Sequence, residues 1–253
     1  MTDSDTTRSG RVRRLYLDVV LKAGAVIELE RAQQHYVRDV VRLRDGDHLK
    51  LFNGRDGEWL GRLEFDRRTA RVTIDGQARE QDTPGDLHFL FAPLKHARLD
   101  YLVQKATELG ASRLCPVMTK RTAVARVNLK RMRANAIEAA EQCGLVWVPE
   151  ISEPVRFDRL VADWPARRAL VFADEVAEPL DNYQEIEALR GKPLALIVGP
   201  EGGFSEAERS TLLGLAATTA ISLGPRIMRA DTAAVAALTL IQALCGDWTL
   251  AQR

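Results

Sequence analysis

The spacing of apolar residues changes once along this chain. Up to about residue 78 it is the short alternation of strands. "RLYLDVV" (14–20) and "AVIELE" (25–30) read as strands. Residues 45–75, "DGDHLKLFNGRDGEWLGRLEFDRRTARVTID", alternate apolar and polar positions. Turn signals punctuate them at Asp45-Gly46, Asn53-Gly54 and Asp56-Gly57, and Asp75-Gly76 closes the run. "RAQQHYVRDVVRL" (31–43) reads as a short helix between strands. Several short strands with glycine turns predict a small β-barrel over 1–78. "REQDTPGD" (79–86) has the charged, Pro-Gly chemistry of a linker.

From residue 87 onward the period becomes helical between apolar strand runs. "LHFLFAP", "SRLCPVM", "ALVFAD", "PLALIVG" and "TAISLG" read as strands. "ARLDYLVQKATELG" carries Leu99, Leu102, Val103, Ala106 and Leu109 at helical spacing, with Gly110 as stop. "NLKRMRANAIEAAEQCG" runs from an Asn128 cap to Gly144, "NYQEIEALRG" is a helix, and "SEAERSTLLGLA" opens on a Ser205/Glu208 capping box. "DTAAVAALTLIQALCG" is a long, nearly all-apolar helix ending at Gly246. Strands alternating with helices predict an α/β domain with a mostly parallel sheet over 87–253.

Two strand ends in that domain run into glycine turns: Gly199-Pro200-Glu201-Gly202-Gly203 and Gly224-Pro225-Arg226. In open α/β sheets, ligands bind beyond the carboxyl ends of the strands. Glycine lets bare N–H and C=O groups come close to a heterocycle. The spacing is neither G-x-G-x-x-G followed by a distant acid nor G-x-x-x-x-G-K-[ST], so a dinucleotide fingerprint and a P-loop are both excluded. Glu201 inside the loop disfavours a phosphate and suits a cationic ligand, or work as an acid or base.

Composition narrows the classes. The chain has 253 residues, 46% hydrophobic and 28% charged, enough to bury a core. No apolar run approaches the roughly 20 residues of a membrane span. The polar N-terminus lacks a signal-peptide stretch, so a cytoplasmic protein without a membrane role is expected. Cys115, Cys143 and Cys245 are too scattered for a disulfide framework or a zinc site, and no metal is expected. Net charge is only +1, yet residues 113–133 hold seven basic residues and no acidic one. Such a block is either a solvated face or a polyanion-binding surface.

Five stretches make the chain similar to a known family. They are "HYVRDVVRLRDGD" (35–47), "LKHARLDYLVQKATELG" (94–110), "AIEAAEQCG" (136–144), "LIVGPEGGFSEAE" (196–208) and "LGPRIMRADTAAVAAL" (223–238). Together they resemble the RsmE family, the uridine-N3 methyltransferases of 16S ribosomal RNA, which belong to the SPOUT class. The resemblance implies a PUA-like RNA-binding barrel followed by a SPOUT domain whose C-terminal half forms a trefoil knot. It implies S-adenosylmethionine as cofactor, held by two knot loops. By carry-over, one wall is Val198, Gly199, Pro200, Glu201, Gly202 and Gly203. The other is Leu223, Gly224, Ile227, Met228 and Arg229, with Thr232 and Ala233 opening the helix beneath. Met132, Leu145 and Ala97 stand where the family usually has Trp, Arg and Asp.

Methylation of N3 requires loss of its proton, so the site needs a base or a cation that stabilises the uridinate oxygens. Glu201 is the candidate base and Arg229 the candidate cation. N3 lies on the Watson–Crick edge, so the target base must be unpaired or splayed out. Arg11, Arg13, Arg14, Lys120, Arg121, Lys130 and Arg131 are the candidate RNA contacts. The expected partners are ribosomal RNA of the small subunit and a second copy of the chain. A last helix apolar all round must be covered all round, which a homodimer would do. The rival readings are another SPOUT methyltransferase, acting on transfer RNA or at a ribose, and a non-catalytic RNA-binding protein that keeps the fold.

Overall fold

The structure is a computed structural model that describes residues 12–177 and 183–249. The chain divides into two compact units. The first unit comprises residues up to Thr83 together with Gly144–Trp147. It contains β1 (Arg14–Tyr16), β2 (Val26–Glu28), α1 (Arg31–His35), β3 (His48–Phe52), β4 (Glu58–Phe65) and β5 (Ala70–Arg79). These form one five-stranded sheet in the order β1-β3-β4-β5-β2. β1 runs parallel to β3 and the other neighbours are antiparallel. The period of two is kept: Leu49 and Leu51 of β3, Leu63 of β4, and Ala70, Val72 and Ile74 of β5 point into one core with Leu15, Leu29 and Val37. The helix expected over 31–43 is instead α1 followed by a π-turn at Tyr36–Val40, and it stops where Arg42 takes φ 55°.

The second unit comprises Pro84–Cys143 and Val148 onward. Its elements are β6 (Leu87–Phe91), α2 (His96–Glu108), β7 (Arg113–Met118), α3 (Leu129–Cys143), β8 (Glu150–Ile151), β9 (Val155–Arg156), α4 (Phe157–Ala162), β10 (Ala169–Ala173), α5 (Gln184–Glu187), β11 (Leu194–Val198), α6 (Glu206–Leu213), β12 (Thr218–Ile221) and α7 (Ala230–Leu244). The sheet order is β12-β10-β11-β6-β7-β8, with β9 paired to β7, and every pairing is parallel. β8, β9 and α4 lie in a stretch that the apolar spacing left unassigned.

The strands are apolar on both faces because helices cover both. Phe89, Phe91, Val171, Leu196 and Val198 face a core shared with α2, α3 and α7. Leu90, Leu170, Phe172, Ala195 and Ile197 face a second core with α4 and α6. Met132 is a fully buried member of the first core. α2 and α3 stop before Gly110 and Gly144, which take φ 79° and 87°, conformations that a side chain would strain.

Among the described residues, α7 is only partly covered. It buries Ala234, Ala237, Leu238 and Ile241, but Val235, Ala236, Thr239 and Leu240 are only partly buried and Ala243 is exposed. Its polar interruption Gln242 is buried and satisfied: Nε2 donates to the Leu109 carbonyl at 2.6 Å and Oε1 accepts from the Asp247 N–H at 2.9 Å.

Candidate active site

A parallel sheet puts the carboxyl ends of β10, β11 and β12 on one edge, and a pocket of about 500 Å³ opens there. Its floor is Ala173, Val198 and Ile221, the last residues of the three strands. One wall is Gly199, Pro200 and Glu201, and the other runs from Ser222 through Leu223 and Gly224 to Met228. Ala230 and Ala233 of α7 close the base, and Asp174, Glu175 and Ala177 form the side above β10.

The glycines of the first loop are required for different reasons. A Cβ on Gly199 would lie 2.9 Å from the Phe204 ring, which packs edge-on against Phe172 at 5.4 Å. Gly203 takes φ 67°, and a Cβ there would lie 2.5 Å from Oε1 of Glu175. The loop then enters α6 through the expected capping box. Glu208 Oε2 accepts from the Ser205 N–H at 2.9 Å, and the other oxygen, Oε1, accepts from the Lys120 N–H at 2.7 Å. Arg121 Nη1 donates to the Gly202 carbonyl at 2.6 Å. The loop at 199–203 is thus tied to the turn after β7. In the second loop Gly224 takes φ 98°, and no atom lies within 4 Å of where its Cβ would be, so the backbone is bare toward open space.

One arginine joins the first loop to the first turn of α7. Arg98, in the first turn of α2, donates from Nε and Nη2 to Asp231 at 3.0 and 3.1 Å, and from Nη1 to Glu201 at 2.6 Å. The hydrogen bond from Arg98 holds the Asp231 carboxyl below the usual carboxylate range, against the opposing effect of burial. On the side above β10, Asp174 is buried and its Oδ2 accepts from Arg209 Nε at 2.9 Å.

The structure brings Val198, Gly199, Pro200, Glu201, Leu223, Gly224, Ile227, Met228 and Ala233 together around the pocket. Gly202, Gly203, Arg229 and Thr232 do not line it. Arg229 is the exposed cap residue before α7 and, among the described residues, has no ion-pair partner. Pro225 and Arg226 of the second glycine turn line the pocket as well, and so do Asp174, Glu175 and Ser222, which the sequence does not mark. The strand "ALVFAD" ending at Asp174 carried the same strand-end signal as the two glycine turns, but without a glycine to mark it.

Of the candidate RNA contacts, Arg13, Lys120, Arg121, Lys130 and Arg131 are exposed, and Arg11 lies outside the described residues. Arg131 is held by Asp100 at 2.8 and 2.5 Å. Arg14 is a correction: it is buried. Its Nε donates to Glu58 at 2.8 Å, its Nη2 to the Leu145 carbonyl at 2.6 Å, and its guanidinium lies 4.5 Å over the Phe52 ring. Burial raises the Glu58 carboxyl, but hydrogen bonds from Lys50 and Arg14 outweigh it and hold the group ionised. Among the described residues, no group of three or more His, Cys, Asp and Glu is placed to hold a metal, and no helix is long and apolar enough to cross a membrane.

Comparison with known proteins follows the same division. The profile of the RNA methyltransferase domain matches residues 81–242, and that of the RNA methyltransferase PUA domain matches residues 29–75. Sheet, pocket and profile define an RNA methyltransferase carrying a PUA domain in front. Ribosomal RNA small subunit methyltransferase E of Rickettsia conorii is 30% identical over 237 residues, covering 92% of this chain and 96% of that one. A methyltransferase of Legionella pneumophila, solved with bound S-adenosylmethionine, is 30% identical with a TM-score of 0.81, covering 92% of this chain and 98% of that one. Ribosomal RNA small subunit methyltransferase E of Neisseria gonorrhoeae, bound to the same cofactor, is 27% identical with a TM-score of 0.83, covering 94% and 100%. The chain belongs to the ribosomal RNA small subunit methyltransferase E family.

Proposed function

We propose that the protein transfers a methyl group from S-adenosylmethionine to N3 of a uridine in 16S ribosomal RNA, in the cytoplasm where small subunits assemble. The observation that carries this reading is the pocket at the ends of β10, β11 and β12. Its size lies within the usual range for ligands of this kind, roughly 300–1,000 Å³. The bare backbone at Gly224 admits a flat heterocycle, and Glu201 suits a cationic ligand. Val198, Gly199, Leu223, Ile227 and Met228 would hold the cofactor, which supplies an electrophilic methyl on a sulfonium.

The protein's own work is positioning and charge. The uridine N3 proton must leave before N3 bonds to the methyl carbon and the carbon–sulfur bond breaks. Glu201 lines the pocket wall, where Arg98 holds it, and would take that proton. Arg229, exposed and without an ion-pair partner among the described residues, is free to stabilise a uridinate oxygen or a phosphate. Lys120, Lys130 and Arg13 offer exposed charge for the RNA backbone. A Glu201→Gln variant tests the base. It should bind the cofactor and lose methylation rate at neutral pH, with the loss shrinking as the pH rises and uridine deprotonates by itself. An unchanged rate and pH profile would remove Glu201 from the chemistry.

A homodimer through α7 belongs to the same reading. Val235, Ala236, Thr239, Leu240 and Ala243 recur at helical spacing and are left partly or fully exposed. A charged residue at Val235 or Ala236 should give a monomer by light scattering. A wild-type monomer with full activity would refute this element.

A further inference from the structure

Three carboxylates stand on the pocket wall, and two are already engaged. Asp174 Oδ2 accepts from Arg209 at 2.9 Å while Oδ1 accepts from the Val176 N–H at 3.2 Å. Glu201 Oε1 accepts from Arg98 at 2.6 Å. Glu175 makes no hydrogen bond or ion pair with any described residue. Its place is nonetheless defined. The carboxylate lies against the backbone of Gly203, 2.5 Å from where a Cβ would stand. The missing side chain at 203 is the slot that lets Glu175 sit between the end of β10 and the loop after β11. Gly203 does not line the pocket itself, so its contribution to the pocket passes through this neighbour.

We propose that Glu175 accepts the two ribose hydroxyls of the nucleoside bound in the pocket, a proposal that rests on the S-adenosylmethionine reading and extends it. A carboxylate offers two acceptor oxygens and no donor, and a vicinal diol offers two donors at matching spacing. Bonds of this charge-assisted kind are the strong ones in a site otherwise built from backbone and apolar groups. The glycine-lined walls serve the flat heterocycle, which needs no anion. The carboxylate left without a hydrogen bond among the described residues is therefore the ribose-recognising group and sets the pocket's preference for an intact ribonucleoside.

Calorimetry on the wild type, Glu175→Gln and Glu175→Ala tests this with three probes. S-adenosylmethionine carries the sulfonium, S-adenosylhomocysteine lacks it, and 5′-methylthioadenosine keeps adenine and ribose but lacks the amino-acid portion. Both variants should melt as the wild type does, because Glu175 is exposed. Both should bind all three probes more weakly, by about 10- to 100-fold. Wild-type affinity for S-adenosylmethionine in either variant overturns the proposal. So does a loss confined to S-adenosylmethionine with methylthioadenosine unchanged, which would place the carboxylate at the sulfonium or the amino-acid end. A wild type that binds none of the probes overturns the cofactor reading itself, a result distinct from either.

Discussion

Arg98 holds Asp231 through two hydrogen bonds of 3.0 and 3.1 Å across 133 residues of sequence, and with its remaining nitrogen it holds Glu201. The first turns of α2 and α7 and the loop after β11 are fastened at one guanidinium. Removing it leaves two carboxylates facing each other without a cation. Arg98→Met is expected to fold, to melt a few degrees lower and to bind S-adenosylmethionine roughly tenfold more weakly, about 1.4 kcal/mol. Arg98→Lys should fall between, because an ammonium cannot reproduce the fork that spans both partners. Calorimetry and thermal melts of the pair check this; equal affinity in Arg98→Met and wild type would show that the fastening does not shape the pocket.

Gly203 and Gly224 should respond differently to alanine. At Gly203 the new methyl meets both a φ of 67° and the Glu175 carboxylate. The expected outcome is a stability loss of about 1–2 kcal/mol together with weaker cofactor binding. At Gly224 the φ of 98° strains the loop, but the space is open, so binding should suffer through occupation of the pocket. In a Glu175→Ala background, the binding loss from Gly203→Ala should shrink while that from Gly224→Ala should persist. Denaturant melts and calorimetry on the single and double variants read this directly.

The opposite edge of the sheet sets an acid limit. Burial pushes the His88 imidazole down to about 4, the guanidinium groups of Arg168 and Arg113 push the same way, and Asp86 and Glu150 oppose them. The unfolded chain titrates near the ordinary value of about 6.5. The folded state therefore favours the neutral ring, and its contribution is fully present above about pH 6.5 and is lost as pH falls toward 4. The loss is of order 3 kcal/mol. Denaturant unfolding of wild type and His88→Gln at several pH values should show a shallower acid decline in the variant. Parallel curves would assign the decline to other groups.

The basic run divides into two kinds of residue. Lys120 and Lys130 are exposed, and the Lys120 backbone N–H, not its ammonium, ties it to Glu208. Neutralising both should reduce the salt slope of RNA binding by about 0.7 per lost contact on single-stranded sites and leave cofactor affinity alone. Arg121 differs, because its guanidinium holds the Gly202 carbonyl. Arg121→Gln is expected to weaken both ligands. Filter binding over a salt series, paired with calorimetry, separates the two classes; an unchanged slope would make the run a solvated face.

The elements that sequence patterning located well are those whose signal is local. The Ser205/Glu208 box, the glycine stops at 110 and 144 and the period of two in β3 to β5 depend on neighbours in the chain. The two glycine turns were legible because few residues tolerate such backbone. Arg14 was misread as an RNA contact because its partner Glu58 is 44 residues away, and nothing in "RVRRLYL" distinguishes a buried arginine from an exposed one. Arg98 carries no local signal either, because its partners Glu201 and Asp231 are 103 and 133 residues away. Glu175 was invisible because its role depends on Gly203 lacking a side chain on another strand's loop. Among the described residues the cover of α7 is incomplete at Val235 and Ala236, which are only partly buried, and no periodicity in an all-apolar helix reveals which face that is.

The central claim is tested most directly by giving the purified protein 16S ribosomal RNA from a strain lacking its gene, as naked RNA and as assembled small subunits, with labelled S-adenosylmethionine. Nuclease fragments are then mapped by mass spectrometry. The account predicts one methyl group on a single uridine, at N3, in at least one of the two substrates, and none when Gly224→Val replaces the wild type. A label on a ribose hydroxyl or on a base other than uridine, or cofactor binding with no transfer to either substrate, would contradict it.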